Sequence, residues 1–320
     1  MFLRFGRKLS FMLDVRRLRL LRELQTRGTV TAVAEALAYT PSAVSQQLAT
    51  LEREAGVPLL EREGRRLRLT DAGRGLVEHA DAVIARLELA ESELAAAAGD
   101  EAVGRVRIAA FQTAASGLVL PLLGTIAAEH PKLRLELHEL EAEDGLELLR
   151  RAEVDLVLAE EYDYAPRERD PSLVFSDVCR DPLVLVLPAA HPLCAADPET
   201  VPLAALAEEP WATPRSGTAF LASMVRACRA LGGFEPDLRH RSNDLAVLEQ
   251  LVAAREAVAL LPSLGGPGRV PGVAVRRTAE APLDRSIFLA VRRGSAGRPA
   301  LTAVARALRE QARALGLPGA

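Results

Sequence analysis

Residues 40–70 read TPSAVSQQLATLEREAGVPLLEREGRRLRLT, and this stretch decides the architecture of the amino-terminal part of the chain. Thr40 suits a helix N-cap, and Pro41 falls at the first helical position, where its missing N–H costs nothing. The helix they open runs to about Ala55 and is stopped by Gly56. Val44, Leu48 and Leu51 recur at i, i+4 and i+7, so one face packs inward. Pro41, Ser42, Ser45 and Gln46 lie at the exposed N-terminal end, where a recognition helix presents side chains to the major groove. Glutamine matches adenine N6 and N7, and serine bonds several base edges. Taken alone, this face reads equally well as a solvated polar surface. The continuation tips the balance: Pro58-Leu59-Leu60 leads into two short strands around a Gly64-containing turn. Arg65 and Arg66 suit a minor groove or phosphate, and Arg62 and Arg68 suit backbone charge.

Upstream, Val15, Leu18, Leu21 and Leu24 repeat at helical spacing until Gly28. Thr29, grouped here with the DNA-facing residues, caps a short alanine-rich helix over 30–37. Ala34 and Ala38 allow close helix approach, and Ala38-Tyr39-Thr40 makes the turn. A helix-turn-helix followed at once by a basic hairpin is a winged helix, assigned to residues 12–70. Charge agrees. Residues 1–70 carry 13 Lys/Arg against 7 Asp/Glu, about +6, whereas the whole chain is −3. A basic head on an acidic body suits a unit that meets a polyanion. Residues 1–11 hold Arg4, Arg7 and Lys8 without a secretory apolar stretch. They read as a basic arm or, preferably, as the product of an early start codon, since Met12 opens the first amphipathic segment.

The segments GTVTAVAEAL (28–37), TPSAVSQQLATLEREAGVPLLER (40–62) and RLTDAGRGL (68–76) resemble the DNA-binding region of LysR-type transcriptional regulators. In that family the positions matching Pro41, Ser42, Ser45 and Gln46 face bases. The position of Gln46 is often arginine there, so the preferred bases of this chain are expected to differ. The resemblance also implies pairing through the helix after the wing, assembly into homodimers or homotetramers, and a two-lobed ligand-binding body like that of periplasmic binding proteins.

The residues support the same plan independently. Thr70 and Asp71 cap a long helix (71–99) closed by Gly99, in which Leu76, Ala80, Val83, Leu87, Ala90 and Leu94 step by 4, 3, 4, 3 and 4. That heptad seam predicts a two-helix dimer contact; the alternative is a helix packed on its own domain. A dimer sets its recognition helices about 34 Å apart, or a multiple of it, on a roughly palindromic site.

From Ala102 strands and helices alternate, giving an α/β body over 102–320. Expected strands lie at 103–110, 134–139, 154–159, 183–187, 237–241, 257–261, 273–276 and 287–291, with helices near 115–129, 144–152, 218–231 and 244–253. The closing helix places Leu301, Val304, Leu308, Ala312 and Leu315 on one face. Lobe I is expected at 102–180 and 278–320 and lobe II at 181–277, with hinges near Arg180–Asp181 and Arg276–Thr278. Ligands in such sheets bind beyond the carboxyl ends of the strands. Phe111, Gln112 and Thr113, then Thr213, Arg215, Ser216 and Thr218, then Asn243 and Asp244 occupy such loops, and Glu160 follows the third strand. Arg215 suits a carboxylate, so the expected effector is a small molecule such as an amino acid or other carboxylate. Thr218 and Asp244 also read as plain helix caps.

Hydrophobic residues make up 49% and charged residues 26% of the 320, ordinary for a soluble globular protein. No apolar run approaches a membrane span. No nucleophile elbow, Walker loop, dinucleotide fingerprint or HExxH pair appears, so enzyme chemistry in the body is disfavoured and no cofactor or metal is expected. Cys179, Cys194 and Cys228 lack ligand spacing and read as packing thiols of a cytoplasmic protein. The alternative is a redox switch, since Cys179 and Cys194 straddle the expected lobe crossover.

Overall fold

The computed structural model describes residues 13–63, 66–97, 101–166 and 169–320. The expected arm at 1–11, Arg65 and the Gly99 stop lie outside these residues. The chain divides into two units, one running to residue 98 and taking in 293–297, the other holding 99–292 and 298–320. Residues 293–297 thus group with the head, whereas the sequence reading kept them in lobe I.

In the first unit, α1 (Val15–Arg27) begins at Asp14, whose carboxylate accepts the Arg16 N–H at 2.7 Å. Thr29 caps α2 (Val30–Ala36) through the Ala32 N–H at 3.2 Å, and Thr40 caps α3 (Pro41–Ala55) through the Ala43 N–H at 3.2 Å. Leu18, Leu21, Leu24, Val33, Val44, Leu48 and Leu51 close into one buried core. The turn between α2 and α3 is made by Ala38 at φ 56°, a left-handed conformation that an L side chain adopts at some cost.

The wing pairs β1 (Leu60–Glu63) with β2 (Arg66–Leu69) antiparallel, Leu60 opposite Leu69 and Glu63 opposite Arg66. Its root is fixed by Glu52, whose carboxylate accepts the N–H groups of Leu59 and Leu60 at 2.9 and 3.0 Å. Thr70 opens α4 (Asp71–Ala97) by accepting the Gly73 N–H at 3.0 Å. Gly73 passes so close to the wing root that a Cβ would stand 2.2 Å from the Leu59 carbonyl oxygen. The beginning of α4 belongs to the head: Val77, Ala80 and Ile84 are buried, and Leu76 is half-buried against the same core. The expected seam is therefore corrected. Leu76 and Ala80 pack within the chain, while Val83, Leu87 and Leu94 remain exposed at 41%, 44% and 71%.

In the second unit, β3 (Gly104–Ala110) leads to α5 (Gln112–Ala114), a π-helical turn at Ala115–Val119 and α6 (Leu122–Glu129). Then follow β4 (Leu133–Glu139), α7 (Ala142–Arg150) and β5 (Leu156–Tyr162), with β4 and β5 both parallel to β3. The expected helix at 115–129 is thus a broken one. Strand β6 (Leu173–Pro188) is 16 residues long and begins ten residues before the expected 183. Its first part carries Ser176, Asp177 and Arg180, which hid it among polar residues.

The second lobe contains α8 (Pro192–Ala196), β7 (Thr200–Val201), β8 (Pro210–Thr213), α9 (Ala219–Ala227), β9 (Asp237–Arg241), α10 (Leu245–Ala253), β10 (Ala259–Pro262) and β11 (Val273–Thr278). Strands β10 and β11 run antiparallel to β6, and Trp211, Leu185, Leu187, Leu203, Met224 and Leu260 fill the core. Strand β12 (Leu283–Arg292) then returns, antiparallel to both β5 and β6, with a register shift between Ile287 and Phe288. The second crossover is therefore β12; residues 276–278, expected as a hinge, instead lie within β11 and pair in lobe II. Helix α11 (Pro299–Ala314) buries Leu301, Val304, Leu308 and Ala312 against the first lobe. Leu315 falls beyond the helix and is exposed, not on the packed face.

Candidate nucleic-acid interface and ligand cavity

On the head, Thr29, Pro41, Ser42, Ser45 and Gln46 are all exposed. They stand at the N-terminal ends of α2 and α3, with Val44 and Leu48 turned into the core. The Ser42 hydroxyl lies 3.0 Å from that of Thr40. Helix α1 braces α3 through Arg17, which donates to Gln47 at 2.8 Å and pairs with Glu54. Arg68 on β2 is exposed; Arg62 and Arg66 belong to the wing strands, and Arg65 lies outside the described residues. A helix N-terminus with exposed small polar groups, beside a ribbon bearing arginines, offers base-edge partners and phosphate partners on one module.

In the second unit a cavity of about 230 Å³ opens where β3, β5, β8, β9 and β10 end. Phe111, Gln112, Thr113, Glu160, Thr218 and Asn243 line it, as do Glu141, Glu143, Asp144, Tyr162, Phe220 and Arg285. Four of the expected residues do not. Thr213 is fully buried, its hydroxyl donating to the carbonyls of Pro214 and His240. Arg215 and Ser216 are exposed and absent from the lining. Asp244 caps α10 by accepting the Ala246 N–H at 2.9 Å. Thr218 does both, lining the cavity and capping α9 by accepting the Leu221 N–H at 3.2 Å. Glu160 sits within β5 rather than after it, because that strand runs to Tyr162.

The floor is built on Arg285, which sequence reasoning missed. It is 3% exposed, and its guanidinium donates from Nε and Nη2 to one oxygen of Asp181 at 2.9 and 2.7 Å. Nη2 also donates to the Thr113 hydroxyl at 2.5 Å and Nη1 to the Tyr162 hydroxyl at 3.4 Å. The other Asp181 oxygen accepts from the Ser263 hydroxyl and the Leu264 N–H, both at 2.8 Å. This pair joins β6 to β12 at the crossover, and it ties loops of both lobes to the cavity floor. Burial disfavours the guanidinium charge, yet Tyr162, Asp181 and Glu160 more than offset this and hold Arg285 above its ordinary value. Burial pushes the Tyr162 hydroxyl well up, so it remains a neutral phenol. The Phe111 ring lies under the guanidinium at 4.8 Å, and Tyr162 stacks on Phe220 with centroids 5.3 Å apart.

The mouth is spanned by Asn243, which accepts the Arg215 N–H at 2.9 Å and donates to Glu141 at 3.2 Å. Partial burial and the Glu143 carboxylate push Glu141 above its ordinary value, against the opposing effect of the Asn243 bond. The signal that would have found Arg285 and Asp181 is alternation: Leu283, Arg285 and Ile287 share one buried register of β12, as Asp181, Leu183 and Leu185 do of β6.

Two family profiles match the chain: a bacterial regulatory helix-turn-helix protein of the lysR family over residues 15–74, and the LysR substrate binding domain over residues 99–313. A probable RuBisCO transcriptional regulator of Cyanophora paradoxa is 32% identical over 189 residues, 58% of this chain and 56% of that protein. The DNA-binding transcriptional dual regulator OxyR of Escherichia coli is 29% identical over 268 residues, 83% of this chain and 85% of that protein. Among solved structures, a full-length OxyR variant from Pseudomonas aeruginosa superposes with a TM-score of 0.71 at 22% identity, covering 93% of this chain and 95% of that one.

Proposed function

Since this chain belongs to the LysR family of transcriptional regulators, we propose that the cavity floored by Arg285 is the effector site that adjusts its DNA binding. The chain is a DNA-binding regulator with a substrate-binding domain, and its work as a homo-oligomer under a small-molecule effector is part of this proposal. The finer assignments are ours. Pro41, Ser42, Ser45 and Gln46 read bases, Thr29 and the wing arginines Arg62, Arg65, Arg66 and Arg68 hold phosphates or the minor groove, and Val83, Leu87, Ala90 and Leu94 meet a second copy. The protein acts in the cytoplasm, with its DNA, and performs no chemistry on its ligand.

One observation carries the effector assignment: a cavity at the carboxyl ends of the strands whose floor is the ion pair joining both crossover strands. A ligand touching Thr113, Tyr162 and Arg285 therefore meets the groups that set lobe packing. To act as an effector it must bind two packings unequally. The test is DNA affinity with and without ligands found by thermal-shift screening, in wild type and in Phe220→Ala. Phe220→Ala is expected to remove the ligand response and leave unliganded DNA affinity intact; an equal response in both proteins dismisses the cavity.

A redox reading takes its support from relatives such as OxyR. The thiols argue against it. Burial and the Asp181 carboxylate push Cys179 up to about 12, and burial with Glu235 does the same for Cys228. Such thiols are poor nucleophiles. Cys194 is the partly accessible one, its Sγ 3.7 Å from the Pro188 carbonyl oxygen. DNA binding is expected to ignore peroxide; a peroxide response lost in Cys194→Ser would reverse this choice.

A further inference from the structure

Strand β10 ends at Pro262, in the cavity wall, and the next three residues form a single turn, Ser263–Gly265, that reaches from the second lobe to the first. Asp181 fixes the start of this turn. The oxygen that Arg285 leaves free accepts the Ser263 hydroxyl and the Leu264 N–H, both at 2.8 Å. Leu264 then rests on the π-helical turn at Ala115–Val119, and the residue it meets there is a glycine. A Cβ on Gly117 would stand 2.5 Å from Leu264 Cδ1 and 3.0 Å from its Cγ, so the missing side chain leaves the notch that Leu264 fills. The turn that carries the notch is itself braced. Gln311 of α11 donates to the Gly117 carbonyl at 3.3 Å, and the Ser116 hydroxyl donates to the Gln112 carbonyl at 3.0 Å, with that of Thr113 at 3.2 Å. Gly265 extends the contact: a Cβ there would stand 2.7 Å from Leu245 Cδ1 and 3.3 Å from Thr113 Cγ2.

Pro262, Leu245 and Thr113 all line the cavity, so the turn is packed among groups that an occupant of the cavity touches. A π-helical turn inside a helix is rare and recurs at functional sites; here it follows directly on α5, which carries Thr113. Close-packed contacts of this kind switch between discrete arrangements and do not deform smoothly. Taking the cavity as the effector site, we propose that Ser263–Gly265 is the catch of the lobe interface. Leu264 seated against Gly117 holds one packing of the lobes, and a ligand acts by displacing Pro262, Leu245 and Thr113 so that Leu264 leaves the notch.

Gly117→Cys with Leu264→Cys turns the catch into a lock and needs no ligand. A sulfur in the place of Leu264 Cγ stands 3.0 Å from the new Cβ, about the separation across a sulfur–sulfur bond. The full chain with both substitutions is oxidised with glutathione disulfide or reduced with dithiothreitol. Its affinity for the DNA upstream of its own gene is then measured beside Leu264→Ala and wild type, each in both conditions to correct for Cys179, Cys194 and Cys228. The new pair is expected to close in oxidant, and the locked chain to bind DNA as unliganded wild type does. The reduced pair and Leu264→Ala, whose catch is loosened, are expected to depart from wild type by at least about fivefold. Hydrogen exchange at the amide of residue 264 accelerates in both. A pair that does not close overturns the proposal, because Leu264 is then not seated. Unchanged exchange at that amide, or a locked chain that departs from wild type as far as the reduced one, overturns it too. So does faster exchange with DNA affinity within about twofold of wild type, which makes Leu264 a packing residue only. If Leu264→Ala does not fold, the oxidised and reduced pair decide between them. Phe220 is intact in every variant, so failure of the catch leaves the effector reading to its own test with Phe220→Ala.

Discussion

Replacing Asp181 by asparagine removes the counter-charge from a guanidinium that is 3% exposed and leaves the rest of the crossover in place. Breaking a buried pair by deleting one partner costs about 3–5 kcal/mol, because the remaining charge stays desolvated. The structure places this case toward the upper end. Asp181 is fully buried and accepts four hydrogen bonds, two from Arg285, one from Ser263 and one from Leu264. Asparagine retains one acceptor, enough for the Ser263 and Leu264 side. Urea unfolding followed by tryptophan fluorescence reads the effect cleanly. The chain has one tryptophan, Trp211, buried in the second unit, so the head contributes no signal. With a slope of about 3 kcal/mol per molar, a loss of about 4 kcal/mol lowers the midpoint by about 1.3 M. The double substitution Asp181→Leu with Arg285→Leu removes both charges together, and its loss is expected to fall far short of the sum of the two single losses. A shift for Asp181→Asn below about 0.3 M, or strict additivity in the double variant, refutes the reasoning that a desolvated ion pair locks the crossover.

Gly73→Ala drives a Cβ toward the Leu59 carbonyl and forces α4 off the wing root, for a loss of about 2 kcal/mol. Hydrogen exchange of the α3 amides should accelerate about thirtyfold, and unchanged exchange would contradict the close approach. Leu87→Glu places a charge in the exposed apolar stripe of α4 and is expected to shift the oligomer toward smaller species in sedimentation, whereas Leu76→Glu should unfold the head. Gln46→Ala should weaken specific DNA binding by about 1–3 kcal/mol and relax base preference at one position, while Arg68→Ala lowers affinity for all sequences alike. Equal relaxation by both would contradict the division into base and phosphate contacts.

The head was largely legible because its signals are local. Thr29 and Thr40 are caps within three residues of the N–H groups that donate to them, Gly28 and Gly56 are C-caps, and Val44, Leu48 and Leu51 announce their face by spacing alone. The seam of α4 was half legible. Spacing gives Leu76, Ala80, Val83 and Leu87 the same register, but only the tertiary fold shows that α1 and the wing consume the first two. The cavity was legible as a set of strand ends and illegible in its chemistry. Arg285 pairs with Asp181, 104 residues away, and Thr113, 172 residues away. No local pattern announces such a partnership, although the buried register of β12 holds its trace. Arg215 drew notice because it follows a strand beside small polar residues; the chain turns it outward while its backbone holds Asn243.

The central claim is that the α3 end and the arginine-bearing wing of paired copies engage duplex DNA. Its most direct measurement is the affinity of the full-length oligomer for the DNA upstream of its own gene across a series of salt concentrations. The account predicts specific binding whose logarithm falls steeply and linearly with the logarithm of salt, and which Ser45→Ala with Gln46→Ala reduces to the level of unrelated DNA. Affinity that ignores salt, or that survives this double substitution undiminished, would contradict it.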